Sequence, residues 1–93
     1  MNFFEGKTIL VTGASEGIGR ALCLAVAPQR PNLVLAARNE DRLNEVRILA
    51  EAAGAAALVV PGDLTEESAC RTLIERAVNR FGGMDVLVNN AGG

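Results

Sequence analysis

Residues 8–19 read Thr8-Ile9-Leu10-Val11-Thr12-Gly13-Ala14-Ser15-Glu16-Gly17-Ile18-Gly19. The first five residues are apolar or β-branched throughout, which is typical of a strand buried on both faces. Three glycines follow, and they lead into a helical pattern that extends from about Gly17 to Ala27 and is stopped by Pro28 and Pro31. The stretch therefore predicts a strand, a glycine turn and a helix, which is how a βαβ unit begins.

The rest of the chain continues to alternate strand-like and helix-like patterns. Apolar runs predict further strands at 33–37, 57–60 and 85–89. Asn39 has the position of a helix N-cap, and Gly54 is placed to end that helix. We expect Thr65 to cap a third helix that ends at Gly82-Gly83. The apolar stripe of that helix has helical spacing and consists of Cys70, Leu73, Ile74, Ala77, Val78 and Phe81.

This βαβαβαβ order predicts the α/β fold class, with residues 1–93 forming a single domain that is part of a Rossmann fold. Because crossovers between parallel strands are right-handed, we expect a parallel sheet of order 3-2-1-4 with helices on both faces. The first two helices should cover one face and the third helix the other. The fourth strand would then have an open apolar edge, through which we expect homo-oligomerisation or self-association.

Composition excludes several classes of function. Nine basic and eleven acidic residues give a net charge of −2, which provides no basic surface for nucleic acid. The chain has no His, the commonest metal ligand, and we expect no metal site. Neither a membrane span nor a signal peptide is recognisable, so we expect a cytoplasmic protein with no membrane partner. Cys23 and Cys70 lie in helical apolar patterns and are expected to be buried free thiols.

The glycine turn suggests a phosphate site. Backbone N–H groups at a helix N-terminus, together with the helix dipole, bind a pyrophosphate well. Gly13 would allow the tight turn out of the strand, Gly17 would let the pyrophosphate approach the backbone, and Gly19 would let the helix pack closely. The alternative is that these glycines only form a tight turn. The chain lacks the Gly-Lys-Ser/Thr of a P-loop at this position, which disfavours ATP hydrolysis.

Three motifs together resemble the short-chain dehydrogenase/reductase family: Thr-Gly-x-x-x-Gly-Ile-Gly at 12–19, Asp63-Leu64 after the third strand, and Asn89-Asn90-Ala91-Gly92 after the fourth. The resemblance covers all 93 residues, but only the front part of the family's domain. It implies a segment of an oxidoreductase that transfers hydride between nicotinamide and a carbonyl or alcohol carbon. The cofactor contacts it implies are Gly13, Ser15, Gly17, Ile18, Gly19, Arg38, Asp63, Leu64, Asn90, Ala91 and Gly92.

The end of the second strand bears on the choice of cofactor. An acidic residue there would bind a ribose 2′-hydroxyl and favour NAD, but this chain has Ala37 followed by Arg38. Because a guanidinium suits a 2′-phosphate, we favour NADP(H) over NAD(H). The alternative is a solvated arginine at a strand end. Glu16 argues against NADP(H), because many NADP(H)-preferring relatives have a basic residue there.

Two other positions have alternative interpretations. Asp63 follows Pro61-Gly62 and is either a turn residue or, as the resemblance implies, the acceptor for the exocyclic amine of adenine. Asn90 either satisfies backbone groups where the sheet ends or lines the cofactor floor, and the two roles are compatible.

The family's catalytic residues, a Ser and a Tyr-x-x-x-Lys motif, do not occur here. The chain has no Tyr, and its one lysine, Lys7, precedes the first strand. We therefore expect no oxidoreductase turnover by this chain alone, which we interpret as a truncated or incompletely read product. Two other hypotheses are a non-catalytic nucleotide-binding or interaction module and a methyltransferase of the same fold. The methyltransferase would require an acidic residue where Ala37 lies.

Overall fold

The computed structural model describes residues 3–90 of the chain. In these residues the elements are β1 (Thr8–Thr12), α1 (Gly17–Val26), a 3₁₀ turn (Ala27–Gln29), β2 (Asn32–Ala37), α2 (Glu40–Ala53), β3 (Ala56–Pro61), α3 (Glu67–Phe81) and β4 (Val86–Val88).

The four strands form one parallel sheet in the order β3-β2-β1-β4, which confirms the predicted topology. In the central strand β1, Leu10 lies opposite Val34 of β2 on one side and opposite Leu87 of β4 on the other. Because all four strands run the same way, the segments that follow β1, β2, β3 and β4 meet at one edge of the sheet.

The side chains of β1 and β2 alternate between two apolar layers, as the strand period of two requires. On one face, Ile9 and Leu33 pack in a cluster that includes the buried residues of α1 and α2. On the other face, Leu10 and Val34 pack with Leu73 of α3. This distribution confirms that the first two helices share one face and the third covers the other.

The helix caps were predicted correctly for α2 and incorrectly for α3. Asn39 caps α2, because its side-chain oxygen accepts a hydrogen bond from the Arg42 amide at 3.0 Å. In contrast, α3 begins at Glu67 with Glu66 as its N-cap, and no side-chain cap bond forms there. Thr65 does not accept from the helix amides, because its hydroxyl is turned toward Asp63, whose carboxylate accepts from both the hydroxyl and the amide of Thr65.

The first helix ends one residue earlier than predicted. It stops at Val26, and the next three residues, including Pro28, form the 3₁₀ turn. Proline has no N–H group, but the N–H groups in the first turn of a helix have no partner within the helix, so proline is tolerated there. Arg30 then adopts a left-handed conformation with φ of 62°, which turns the chain into β2.

The outer part of the α3 layer is more exposed than its sequence pattern predicts. Leu73 and Ala77 are buried, but Ile74 and Val78 are about half exposed. Leu87 of β4 is 55% exposed, and within residues 3–90 β4 pairs only with β1. An apolar face and an unpaired strand edge are therefore adjacent on this side of the described structure.

The two cysteines differ in burial. Cys23 is completely buried against the sheet, as predicted, and burial raises the pKa of its thiol to about 11. Cys70 is only partly buried, so the prediction of two buried thiols is wrong for this residue. Its Sγ donates to the carbonyl oxygen of Leu64 at 3.2 Å. Neither cysteine forms a disulfide.

None of the helices within residues 3–90 has the length and apolarity that a bilayer-spanning segment needs.

Candidate functional site

A cleft of about 1040 Å³ extends from the carboxyl ends of the four strands onto the apolar face between β4 and α3. Most of the residues predicted from sequence to contact a cofactor line it. These are Gly13, Ser15, Gly17, Ile18, Arg38, Asp63, Leu64 and Asn90. Gly19 packs behind the wall of the cleft rather than lining it, and Ala91 and Gly92 lie outside the described residues.

The three glycines of the turn after β1 serve different structural needs. Gly13 and Gly17 have φ of 65° and 61°, a left-handed conformation that other residues adopt at a cost. A Cβ built on Gly17 would meet nothing within 4 Å, so the space beside this backbone is open. A Cβ on Gly19 would overlap the carbonyl oxygen of Gly13. The turn is therefore closely packed at Gly19 and accessible at Gly17.

The N-terminus of α1 opens onto this accessible space. Its N-cap residue, Glu16, makes no side-chain cap bond, and its first turn contains no acidic residue. The first N–H groups of a helix have no partner within the helix, and the helix dipole adds a partial positive charge. Ile18, in this first turn, is 77% exposed and lines the cleft. This end of α1 thus combines free amides, an apolar side chain and space for a ligand.

Hydrogen bonds of Thr12 join the end of β1 to the segment after β4. Its hydroxyl accepts from the Asn90 amide at 2.8 Å and lies 3.1 Å from the Oδ1 of Asn89. The Asn90 carbonyl oxygen lies 2.9 Å from the position of a Cβ on Gly13, so the two segments are in direct contact. Asn90 therefore helps to fix the turn and also lines the cleft.

Asp63 is the centre of a polar cluster at the end of β3. Its Oδ1 accepts from the Thr65 hydroxyl at 2.7 Å, from the Thr65 amide at 3.0 Å and from the Arg38 guanidinium at 3.1 Å. The bonds from Thr65, followed by the nearby guanidinium, hold the pKa of the Asp63 carboxyl below its ordinary value of 3.8. Asp63 is therefore a turn residue whose carboxylate also lines the cleft. Its role in the turn does not exclude the role of acceptor for the exocyclic amine of adenine.

Sequence reasoning missed a second ion pair at this edge of the sheet. The Arg42 guanidinium on α2 lies 2.6 Å from the carboxylate of Glu16, and both side chains are exposed. The two residues are far apart in sequence, but α1 and α2 pack side by side on one face of the sheet. The only sequence signal for this contact was an arginine in the first turn of α2. Its partner could not be predicted without knowing that α1 and α2 are neighbours in the fold.

Comparison with known proteins agrees with this arrangement. The chain matches the family model of the short chain dehydrogenase over residues 7–93. It is 45% identical over 89 residues to an 11-beta-hydroxysteroid dehydrogenase of Pinus massoniana, a match that covers 95% of this chain and 25% of the relative.

Two solved structures have the same fold over nearly the whole chain. A hydroxysteroid dehydrogenase from Escherichia coli matches with a TM-score of 0.92 and 33% identity, over 99% of this chain and 39% of that one. An NADH-dependent reductase complexed with NAD matches with a TM-score of 0.87 and 32% identity, over 99% of this chain and 38% of that one. This chain thus spans between about a quarter and two-fifths of the length of these relatives.

Proposed function

Since the chain belongs to the short-chain dehydrogenase family, we propose that it is the NAD(P)-binding segment of an oxidoreductase that transfers hydride between nicotinamide and a carbonyl or alcohol carbon. The observation that carries the proposal is the open space beside Gly17 at the uncapped N-terminus of α1. When bound, the cofactor supplies or accepts the hydride. The described residues provide its binding site.

The diphosphate would lie against the turn between β1 and α1. Gly17 has no side chain to block the approach, and the first amides of α1, including that of Ile18, provide hydrogen-bond donors. Ser15 lines the same part of the cleft and adds a hydroxyl. The close packing of Gly19 on Gly13 holds this turn in place, so both residues act on the diphosphate through the backbone.

The adenosine half would occupy the region between β2 and β3. Asp63 would accept a hydrogen bond from the exocyclic amine of adenine, beside the partly buried Leu64. Arg38 is 73% exposed and pairs with Asp63, so its side chain can turn toward a ribose 2′-phosphate. The arginine and the lack of an acidic residue at Ala37 support NADP(H) over NAD(H). Asn90 would form part of the floor beneath the cofactor.

We also propose that this chain alone does not turn over a substrate. Its 93 residues include no Tyr and one Lys, which precedes β1. The proton transfer that accompanies hydride transfer in the family therefore has no donor or acceptor of the family's type in this sequence.

The exposed side of β4 supports a proposal of self-association. Leu87 is exposed there, and β4 has no second strand neighbour within the part of the chain that the structure describes. An open strand edge readily pairs with another copy. Sedimentation equilibrium should show an apparent mass that rises with protein concentration, and Leu87→Lys should lower this mass. A monomer at all concentrations would contradict the proposal.

Titration calorimetry with NADP⁺ and NAD⁺ tests the binding function, and Gly17→Ala provides the decisive variant. The added methyl would occupy the space reserved for the diphosphate, so we expect a loss of affinity of at least roughly tenfold, which corresponds to about 1.4 kcal/mol. Gly82→Ala is the matched control, because Gly82 also has a positive φ and open space but lies at the end of α3. It should have the same backbone strain without loss of affinity.

The outcomes are distinct. If neither dinucleotide binds folded wild-type protein, the proposed function is wrong. If Gly17→Ala and Gly82→Ala bind equally well, the diphosphate does not lie beside Gly17. Tighter binding of NAD⁺ than of NADP⁺ would contradict only the cofactor preference.

A further inference from the structure

The ion pair between Glu16 and Arg42 lies beside the position proposed for the 2′-phosphate. Glu16 precedes α1 and lines the cleft with Arg38, whereas Arg42 is in the first turn of α2. The Arg42 NH1 is 2.6 Å from a carboxylate oxygen of Glu16. The pair therefore connects the glycine turn to the helix that follows β2.

Stability does not account for this pair. Both side chains are more than half exposed, at 53% for Arg42 and 72% for Glu16. Exposed ion pairs contribute little to folding, because water screens the charges and two long side chains lose freedom. Its position beside the cleft makes the pair more relevant to the charge that a ligand experiences than to folding.

A bare carboxylate at Glu16 would oppose a 2′-phosphate. Such a phosphate has nearly two negative charges, and repulsion by one neighbouring carboxylate across a water layer weakens binding by roughly five- to tenfold. Two further acidic residues, Glu40 and Asp41, lie in the first turn of α2. Without Arg42, Arg38 would have to balance four carboxylates, because it already pairs with Asp63 and would also face Glu16, Glu40 and Asp41.

We propose that Arg42 determines the cofactor preference by neutralising Glu16, so that a carboxylate in the glycine turn does not exclude a 2′-phosphorylated dinucleotide. The inference rests on the proposed function, because it concerns the adenosine end of the same cleft. Arg42 acts through Glu16 and is a positioning residue that controls local charge. The same ion pair holds the Glu16 side chain toward α2, whereas Arg38 lines the cleft.

Two small ligands isolate this end of the site. Adenosine 2′,5′-bisphosphate contains the 2′-phosphate, and 5′-AMP lacks it. Their affinities for the purified protein give a ratio that reports only on the 2′-phosphate. A general loosening of the turn changes both affinities and leaves the ratio unchanged.

Four variants test the proposal by calorimetry. Arg42→Gln should lower the affinity for adenosine 2′,5′-bisphosphate by about five- to tenfold and the affinity for 5′-AMP by less than about twofold. Glu16→Gln should not lower the affinity for the bisphosphate. The double variant Glu16→Gln/Arg42→Gln should recover a ratio close to that of wild type, since the opposing charge is absent. Arg71→Gln, which breaks an exposed ion pair on α3, is the matched control and should change neither affinity.

Each result either supports or overturns the inference. An unchanged ratio in Arg42→Gln overturns it, provided that wild type binds 5′-AMP and thermal unfolding shows that the variant is folded. The inference is also overturned if the double variant binds adenosine 2′,5′-bisphosphate as weakly as Arg42→Gln does, because Arg42 would then contact the phosphate directly. If wild type binds neither nucleotide nor either dinucleotide, the proposed function has failed and the inference fails with it.

Discussion

Replacing Gly19 with alanine tests the packing of the glycine turn without any ligand. Gly19 lies in the first turn of α1, and a Cβ built there would overlap the carbonyl oxygen of Gly13. It would also lie 2.9 Å from the Gly13 carbonyl carbon and 3.0 Å from the Nδ2 of Asn90. The main obstacle is backbone, so it cannot rotate away, and the turn itself has to move.

Two opposing contributions determine the size of the effect. Overpacking in a close contact costs about 1–3 kcal/mol and more where backbone must shift, so we take about 3 kcal/mol here. Alanine is preferred to glycine within a helix by about 1 kcal/mol, which offsets part of the cost. We therefore expect a net decrease of about 2 kcal/mol in the free energy of unfolding. For a domain of this size the midpoint temperature of thermal unfolding should fall by roughly 8–16 °C.

Urea unfolding followed by far-UV circular dichroism measures this change. Gly83→Ala is the control, because Gly83 has no atom within 4 Å of a built Cβ and its φ is not in the left-handed region. We expect its free energy of unfolding to stay within about 0.5 kcal/mol of wild type. A Gly19→Ala variant as stable as wild type would refute the close approach of α1 to the turn.

Further predictions concern the polar and thiol groups. Thr12→Val should lower the free energy of unfolding by about 1–3 kcal/mol in denaturant titrations, because the Asn90 amide loses its acceptor. Cys23 is completely buried and burial raises the pKa of its thiol to about 11, so a thiol reagent should modify Cys23 much more slowly in the native protein than in the denatured protein, and equal rates would contradict its burial. Because the pKa of Asp63 is lowered, its pairing with Arg38 should persist at pH 3.8 and be lost only as the pH falls further. Carboxyl NMR shifts report this change, and a midpoint at or above 3.8 would contradict it.

The fold was predictable because its determinants are local. Buried strands, glycine turns and helical stripes each occupy continuous stretches of sequence, and the right-handed crossover leaves few ways to assemble them. The strand order and the helix on each face were therefore confirmed. The error at the start of α3 occurred where two local interactions compete. Thr65 is a residue type that favours the N-cap, but its hydroxyl is turned toward the carboxylate of Asp63, two residues earlier, and not toward the helix amides that a cap accepts from.

The candidate site was predictable as a set of residues and less so as a set of interactions. The end of each strand identifies which residues face the cleft, so Arg38, Asp63 and Asn90 could be named from the sequence. Their partners could not, because the pair between Arg38 and Asp63 joins different strand ends. The pair between Glu16 and Arg42 is the clearest case. Glu16 viewed alone argues against a 2′-phosphate, and only the structure shows that the Arg42 guanidinium pairs with its carboxylate.

The contacts that stabilise the turn also surround the proposed ligand site. Gly19 packs on Gly13, Gly13 packs on Asn90, and Asn90 is bonded to Thr12, so the end of β1, the start of α1 and the segment after β4 form one unit. Gly17 lies between these contacts, and a Cβ built on it would meet nothing within 4 Å. A ligand that binds beside Gly17 therefore meets a backbone already held in place by its neighbours. Little conformational entropy then has to be lost on binding, which is the physical advantage of placing an anion site at a closely packed strand–helix junction.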